Sequence, residues 1–413
     1  MKVILVSSEF PPSQHSYGIG TYTEETALSL ARLGHEVTVL CSADEKIPPG
    51  DSDRNGVHVV RIANDGYAET GFWHKLRPSS AVLRYRYSVA EYIDELIDSG
   101  RAEIVEFPGF RGESYFWHKR GRRIPMVVRM HGLTGWVGKP WKDRIPPRRR
   151  QVNSYEVAEL LNADCVTLPS EHLRDAVEQR LPRERVITLP NGIDVRRWMQ
   201  DATADCTQDI TDRDILCAGT LKPGKGVFEL IDAVTRLRRR GEWSGRLILI
   251  GRSTPDFDRY RMKNWGPRGE PPAYVELRGQ LPRASLAAAY RNAGVCCFPS
   301  WSEPFGYTAL EAAASGGLVI GASGGGMVQM IADGETGFLV PPRNSIALCG
   351  VLEKALRLSA SEKTRIRSVA QQRALQAFDQ DQISMRIVAI YQDQIDRFRS
   401  ARKTIYELGS SRQ

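Results

Sequence analysis

One alternation runs through this 413-residue chain twice and limits what it can fold into. Short aliphatic runs at 3–6, 37–40, 57–62, 103–107, 125–130, 163–168 and 185–189 are separated by helix-period segments at 21–33, 79–99, 151–162 and 171–180. The pattern restarts with runs at 214–218, 246–251, 274–278, 294–298 and 318–320, and helical segments at 226–240, 283–292, 308–315 and 326–332. Runs this short and this continuously apolar read as parallel strands covered on both faces. Strand–helix alternation in both halves predicts an α/β fold with two Rossmann-like, doubly wound sheets face to face. A chain of this length is also too long for a single core. Residues 195–212 read as a polar linker, which sets the predicted domains at 1–194 and 213–377. Helical segments at 344–357 and 361–377 close the second. Residues 378–413 form a terminal amphipathic helix over about 380–400 with a frayed tail from 409.

The composition is that of an ordinary globular protein, and the net charge of +8 favours anionic partners. Seven cysteines stand at 41, 165, 206, 217, 296, 297 and 349, without a CxxC pair. An odd set scattered in apolar runs predicts buried free thiols in a reducing compartment and no thiolate metal site. The N-terminal apolar run is too short for a signal peptide, and no segment reaches the ~18 apolar residues of a membrane helix. The expected location is cytoplasmic, with at most a peripheral contact at the inner membrane face. Residues 136–150 combine Trp136, Trp141, Lys139, Lys142 and Arg144 with the run Arg148–Arg150, broken by Pro140, Pro146 and Pro147. They read as an irregular loop, either simply solvated or suited to an anionic lipid surface or charged acceptor. No nucleic-acid-binding module surrounds them.

Chemistry-bearing residues gather at the ends of predicted strands. Gly18-Ile-Gly20 lies between the first strand and its helix, but the third glycine of the dinucleotide fingerprint is missing and Cys41 stands where an acidic residue would end the second strand. Glu106 and His131 lie at strand ends, the rim where open α/β sheets bind ligands. Gly219-Thr-Leu-Lys-Pro-Gly-Lys-Gly226 follows the first strand of the second half and opens a helix, placing Lys225 where an ammonium reaches a phosphate. It is not a Walker loop, since Val227 stands where Ser or Thr belongs. Gly279 and Gly324–Gly326 follow two further strands. Between Cys297 and Glu311 a buried strand breaks at Pro299, turns through Glu303-Pro-Phe-Gly306 and enters a helix at Tyr307–Thr308. Two carboxylates thus flank a helix N-terminus, which favours anions. A nucleotide-sugar has the matching layout: ribose, diphosphate, sugar.

The Glu303–Glu311 spacing is the EX7E motif of retaining glycosyltransferases. With Ser302–Gly316 around it, the chain resembles family 4 of the GT-B glycosyltransferases (glycosyl transferases group 1). Further ordered matches run along almost the whole chain: the GIG-x-Y loop from Gly18, Gly34-His-Glu-Val37, His131-Gly132, Pro169-Ser170, Pro190-Asn-Gly-Ile-Asp194, Lys225-Gly226 and Asp333–Pro341. The resemblance implies a C-terminal domain for the nucleotide-sugar, an N-terminal domain for the acceptor, and a last helix returning to the N-terminal domain. Glu311 would hold the ribose, Glu303 would face the donor sugar, and the N–H groups of Phe305, Gly306, Tyr307 and Thr308 would meet sugar and phosphate. Lys225 would neutralise the diphosphate, His131 would lie near the reacting carbon, and Gly18 and Gly20 would let the N-terminal loop approach the phosphates. Lys222, Thr220 and Gly279 complete the donor set; Glu106 and Arg129 are acceptor-side candidates. Two positions depart from the family: Thr220 replaces an arginine, so either Lys222 substitutes or the diphosphate is held less tightly, and Gln329 replaces a glutamate.

The implied reaction moves a hexose from a UDP- or GDP-sugar to a hydroxyl of a saccharide or lipid-linked acceptor in bacterial polysaccharide or glycoconjugate synthesis, with retention. No metal or cofactor is expected, because no DxD-type acidic pair is placed against the diphosphate. The leaving phosphate could take the acceptor's proton from the same face; the alternative is Glu303 as a covalent nucleophile. Other readings are a small soluble acceptor, a phosphorylase or epimerase on the same architecture, or a weakly active nucleotide-binding homologue.

Overall fold

The computed structural model describes residues 1–12, 18–63, 80–132, 147–204 and 209–410. They form two compact units, Met1–Gly192 with Gln380–Gln413, and Ile193–Asp379.

The first unit is built on a sheet of order β3-β4-β2-β1-β5-β6-β7-β8. Its strands are β1 (Lys2–Ser7), β2 (Glu36–Ser42), β3 (Gly50–Arg54), β4 (Val57–Ile62), β5 (Ile104–Pro108), β6 (Met126–Arg129), β7 (Cys165–Leu168) and β8 (Val186–Thr188). All pairings are parallel except β3 with β4. Alternate residues feed two cores, as the pleat requires. Val3 and Leu5 pack with α1 (Gly18–Arg32) and α12 (Gln380–Ser410), while Ile4 and Val6 lie in the core shared with α2 (Ser80–Asp98), α3 (Pro147–Asn162) and α4 (Arg174–Glu178). The terminal helix is held by a stripe one turn apart, Ile383, Ile387, Tyr391 and Ile395, each no more than 2% exposed. A fully buried isoleucine contributes about 2 kcal/mol, so the stripe anchors α12 firmly to this unit.

The second unit has a parallel sheet of order β11-β10-β9-β12-β13-β14. Its strands are β9 (Ile215–Ala218), β10 (Leu247–Ile250), β11 (Val275–Gly279), β12 (Val295–Phe298), β13 (Val319–Ala322) and β14 (Phe338–Val340). Helices α5 (Val195–Thr203), α6 (Val227–Arg239), α7 (Pro255–Asn264), α8 (Arg283–Asn292), α9 (Tyr307–Ala314), α10 (Ser345–Leu356) and α11 (Ala360–Ala377) complete it.

The region 195–212 is not simply a linker. Its first half is α5, capped by the Asp194 side chain, which accepts from the Arg197 N–H at 3.0 Å. Val195, Trp198 and Ala202 are buried in the second unit's core, and Arg283 pairs with Asp201 at 2.7 Å. Interrupted by charged residues, these apolar positions look polar in sequence, yet their spacing puts them on one helix face. The chain therefore enters the second unit at Ile193, not 213, and leaves it at Asp379, with Phe378 still in its core.

Other differences are local. Gly18–Gly20 form the first turn of α1 instead of a loop, and Arg148–Arg150 belong to the start of α3, where Pro147 suits the first helical position. The rest of the basic stretch, 136–146, and Cys206 lie outside the described residues. The helix expected at 326–332 is a four-residue 3₁₀ turn, Gly326–Gln329, and the terminal helix continues to Ser410. The polar edge strand β3 and α7, whose one buried residue is Phe257, carry too little apolar pattern to be read beforehand, and β14 is only three residues long. The six described cysteines are free and buried. No helix among the described residues is long and apolar enough to cross a membrane.

A carboxylate cluster is buried in the first unit. Glu159 on α3 is fully buried and accepts from the Ser114 N–H at 2.9 Å; Glu113, 2% exposed, accepts from the Ser8 N–H at 3.2 Å. Burial, with the neighbouring charges of Glu113 and Glu156, holds the Glu159 pKa well above the usual carboxylate range against the bonds from Ser114. A raised folded-state pKa leaves the fold unpenalised below the unfolded value of about 4.3 and costs stability as pH rises toward the folded value. Thermal melts of Glu159→Gln and the parent chain should coincide near pH 4, the variant becoming progressively more stable toward pH 8.

Candidate active site

In a sheet of order 3-2-1-4-5-6 the helices switch sides where the order reverses, and a crevice opens outside the strand ends. In the second unit the reversal lies between β9 and β12. The residues following these strands are Gly219–Gly226 and Pro299–Gly306, the two segments singled out by sequence.

These segments are bound to each other. The Lys225 ammonium pairs with Glu303 Oε1, which also accepts from the Ser300 hydroxyl at 3.0 Å. The Trp301 N–H donates to the Gly224 carbonyl at 3.0 Å, and the Trp301 indole donates to Glu229 at 2.7 Å. The Arg343 guanidinium lies 4.2 Å from the centroid of the Trp301 ring. Gly226 has φ +70°, and a Cβ there would sit 2.0 Å from the Pro299 carbonyl oxygen. This glycine is demanded both by its backbone conformation and by the close approach of the facing segment.

Gly324–Gly326 serve a role the sequence did not disclose. A Cβ on Gly325 would lie 2.5 Å from the Glu303 carbonyl oxygen, and one on Gly326 would lie 2.4 Å from that of Pro304. The Gly326 N–H bonds the Glu303 carbonyl at 2.7 Å. The glycines thus form a bare shelf on which Glu303–Phe305 rests. Gly306, at φ +108°, then turns the chain into α9, whose N-terminal end carries the positive half of the helix dipole. Phe305 is buried in the core, while Tyr307, Thr308 and Glu311 are part-exposed. Beneath Glu311 is Tyr290, whose phenol is held protonated by burial and by the Glu311 charge.

Past the end of β9 the ladder continues: the Gly219 N–H bonds Ile250 and the Leu221 N–H bonds Arg252, both at 2.9 Å. Leu221 packs into the α6 core, so Thr220 emerges on the opposite face, the one that carries α9. The register places exposed Arg252 beside Thr220. Lys222 is exposed near Lys225; partial desolvation, then the like charge of Lys225, lowers its pKa, and Glu303 opposes the shift. Gly279 ends β11 at the same rim, where a Cβ would meet no protein atom within 4 Å.

The first unit brings together a second group. Its strand order reverses between β1 and β5. His131 follows β6 and is part-exposed; its ring lies 4.9 Å from that of Tyr22, edge to face. Burial, and then the charge of Arg129, hold its pKa well below the usual histidine value, so the imidazole is neutral at physiological pH. Glu106 and Arg129 are not available to an acceptor as expected from sequence. Glu106 is 5% exposed, and its two oxygens accept from the Tyr22 hydroxyl at 2.9 Å and the Tyr391 hydroxyl at 2.8 Å. Arg129 is 0% exposed; it lies 4.7 Å over the Tyr22 ring and donates to Asn191. Arg129 ends β6, whereas Glu106 is the middle residue of β5, and side chains of α1 and α12 cover the pair. Of the two early glycines, Gly18 is exposed and Gly20 buried. Among the described residues no three metal-ligating side chains converge.

The description "Glycosyl transferases group 1" matches residues 205–373, and "Glycosyl transferase 4-like domain" matches 17–192, leaving only the first residues, the crossing segment and the C-terminal region unmatched. The chain is a GT-B glycosyltransferase of the family 4 type. Glycogen synthase of Mycobacterium tuberculosis is 26% identical over 95% of this chain and 94% of its own length. Sucrose-phosphate synthase from Thermosynechococcus elongatus shares the fold, with a TM-score of 0.78 at 21% identity over 95% of this chain and 98% of its own. So does Anabaena HepE, solved in complex with UDP and glucose, with a TM-score of 0.67 at 19% identity over 94% and 99%.

In this glycosyltransferase no motif role marks Ser300, Glu229 and Arg343 around the carboxylate turn or Tyr391 beside Glu106, and Asn191 stands in the Pro190–Asp194 match without any sign of its bond to Arg129. Tyr391 left a trace, being the one hydroxyl in an otherwise aliphatic stripe on α12. The shelf is directly testable. Gly325→Ala should cost about 1–3 kcal/mol of the second unit's stability in urea melts, the usual penalty of overpacking against backbone.

Proposed function

We propose that this glycosyltransferase moves a hexose from a UDP- or GDP-sugar to a saccharide hydroxyl with retention of anomeric configuration. The observation that carries the reading is the Lys225–Glu303 pair, set across the strand reversal beside the N-terminus of α9. A lysine ammonium has three donors, and Glu303 engages one, so Lys225 can bind a phosphate without leaving its partner. With Lys222 and Arg252 beside Thr220, it supplies positive charge where the diphosphate leaving group develops negative charge. Glu311 takes the ribose hydroxyls and Glu303 the sugar's, at opposite ends of one ligand.

In the reaction the bond from the anomeric carbon to the diphosphate oxygen breaks, and the acceptor oxygen bonds the same face of that carbon. The acceptor's proton passes to the departing phosphate. A carboxylate already accepting from an ammonium and a hydroxyl is a poor covalent nucleophile, which favours this route over attack by Glu303. Lys225, the other rim cations and the α9 dipole provide the charge compensation, so turnover should survive excess EDTA. The UDP-bound neighbour supports trying uridine donors first. The differing products named for the relatives, glycogen and sucrose phosphate, support a saccharide acceptor without fixing which one.

A thermal-shift screen of the full chain against UDP, GDP, ADP and their glucose and mannose derivatives tests the donor. One of them should stabilise the protein, and a response to none would refute the reading. Lys225→Met should weaken the bound nucleoside diphosphate by about 10- to 100-fold in calorimetry, the effect of losing a hydrogen bond to a charged group. Binding of the matching nucleoside should be unchanged.

A further inference from the structure

The group under His131 is more elaborate than packing needs. A carboxylate, a guanidinium and two phenols are buried together, and buried ionic groups of this kind are weak contributors to stability compared with apolar residues of the same size. The α12 stripe that supplies Tyr391 is otherwise isoleucine, and phenylalanine would keep its ring contacts. What the polar groups do provide is fixed geometry. Glu106 accepts from Tyr22 at one oxygen and from Tyr391 at the other. The Tyr22 hydroxyl is thereby tethered, the Arg129 guanidinium covers its ring at 4.7 Å, and the ring meets the imidazole of His131 at 4.9 Å and 65°. Arg129 is held in turn by the side chain of Asn191, 3% exposed.

We propose that Tyr22 is the positioning residue for His131, and that Tyr391, acting through the Glu106 carboxylate, fixes Tyr22. The terminal helix thus contributes to the site with a hydroxyl that touches neither substrate nor His131. The chain of contacts runs Tyr391, Glu106, Tyr22, His131, and every link lies within the first unit. This inference rests on the reading that His131 faces the reacting sugar.

The test uses the full chain labelled with ¹³C and ¹⁵N at histidine, with His131→Gln identifying its ring signal among the seven histidines. Tyr391→Phe should shift or broaden the His131 signal while leaving His35 and His172 unmoved. Ile387→Val, one turn away on the same stripe, removes packing without removing a hydrogen bond and should leave His131 unchanged. With UDP-glucose as the probe, release of UDP by Tyr391→Phe should fall about tenfold in kcat, with KM within twofold of the parent. A merely structural tyrosine would lower the melting temperature and leave kcat alone. An unmoved His131 signal in Tyr391→Phe, or an equal shift in Ile387→Val, overturns the inference. If Tyr391→Phe does not fold, Tyr22→Phe, which keeps the ring and loses the tether, should give the same shift. The resonance measurement needs no turnover, so a parent chain inactive on every nucleotide-sugar would refute the proposed function and leave the positioning test standing.

Discussion

A single ion pair, Lys225 with Glu303, joins the two segments that leave the sheet at its strand reversal. Neither partner is deeply buried, and a part-exposed pair of this kind contributes little to stability on its own. Its importance is positional. Around it the Gly226–Pro299 approach, the Trp301–Gly224 bond and the glycine shelf at 324–326 all fix the same turn. The turn in turn sets where α9 begins, and so where its N-terminal dipole lies relative to Glu311 on the helix's second turn.

The first unit solves a similar problem by other means. Its strand ends carry a neutral histidine resting on a buried polar group instead of a part-exposed ion pair. Burial and the Arg129 charge both favour the neutral imidazole, which can donate at one nitrogen and accept at the other. Arg129 and Glu106 therefore act on the site from below, as charge and as scaffold. Arg129 closes β6 and Glu106 lies in the middle of β5, and helices α1 and α12 cover both.

Much of the architecture was legible because parallel strands buried on both faces leave an unmistakable trace. Ile4, Val39, Val105 and Leu249 sit in runs too short for a helix and rich in aliphatic residues. What escaped was structure with little apolar pattern: β3 is wholly polar, and α5 buries Val195, Trp198 and Ala202 among charged neighbours. The site was legible wherever a motif coincided with a strand end, as at Lys225 and Glu303, although sequence assigned the first to the diphosphate and the second to the sugar and said nothing of their contact. The shelf role of Gly324–Gly326 and the engagement of Glu106 by two tyrosines arise from tertiary packing. No local spacing encodes them, since Tyr22, Glu106 and Tyr391 are far apart along the chain.

Hydrogen–deuterium exchange with and without a saturating nucleoside diphosphate sugar tests the central claim most directly. The account predicts slowed exchange in two segments together, Lys225–Val227 and Phe305–Thr308, as the diphosphate engages the lysine loop and the start of α9. Protection elsewhere in the second unit, with these two segments unchanged, would contradict it.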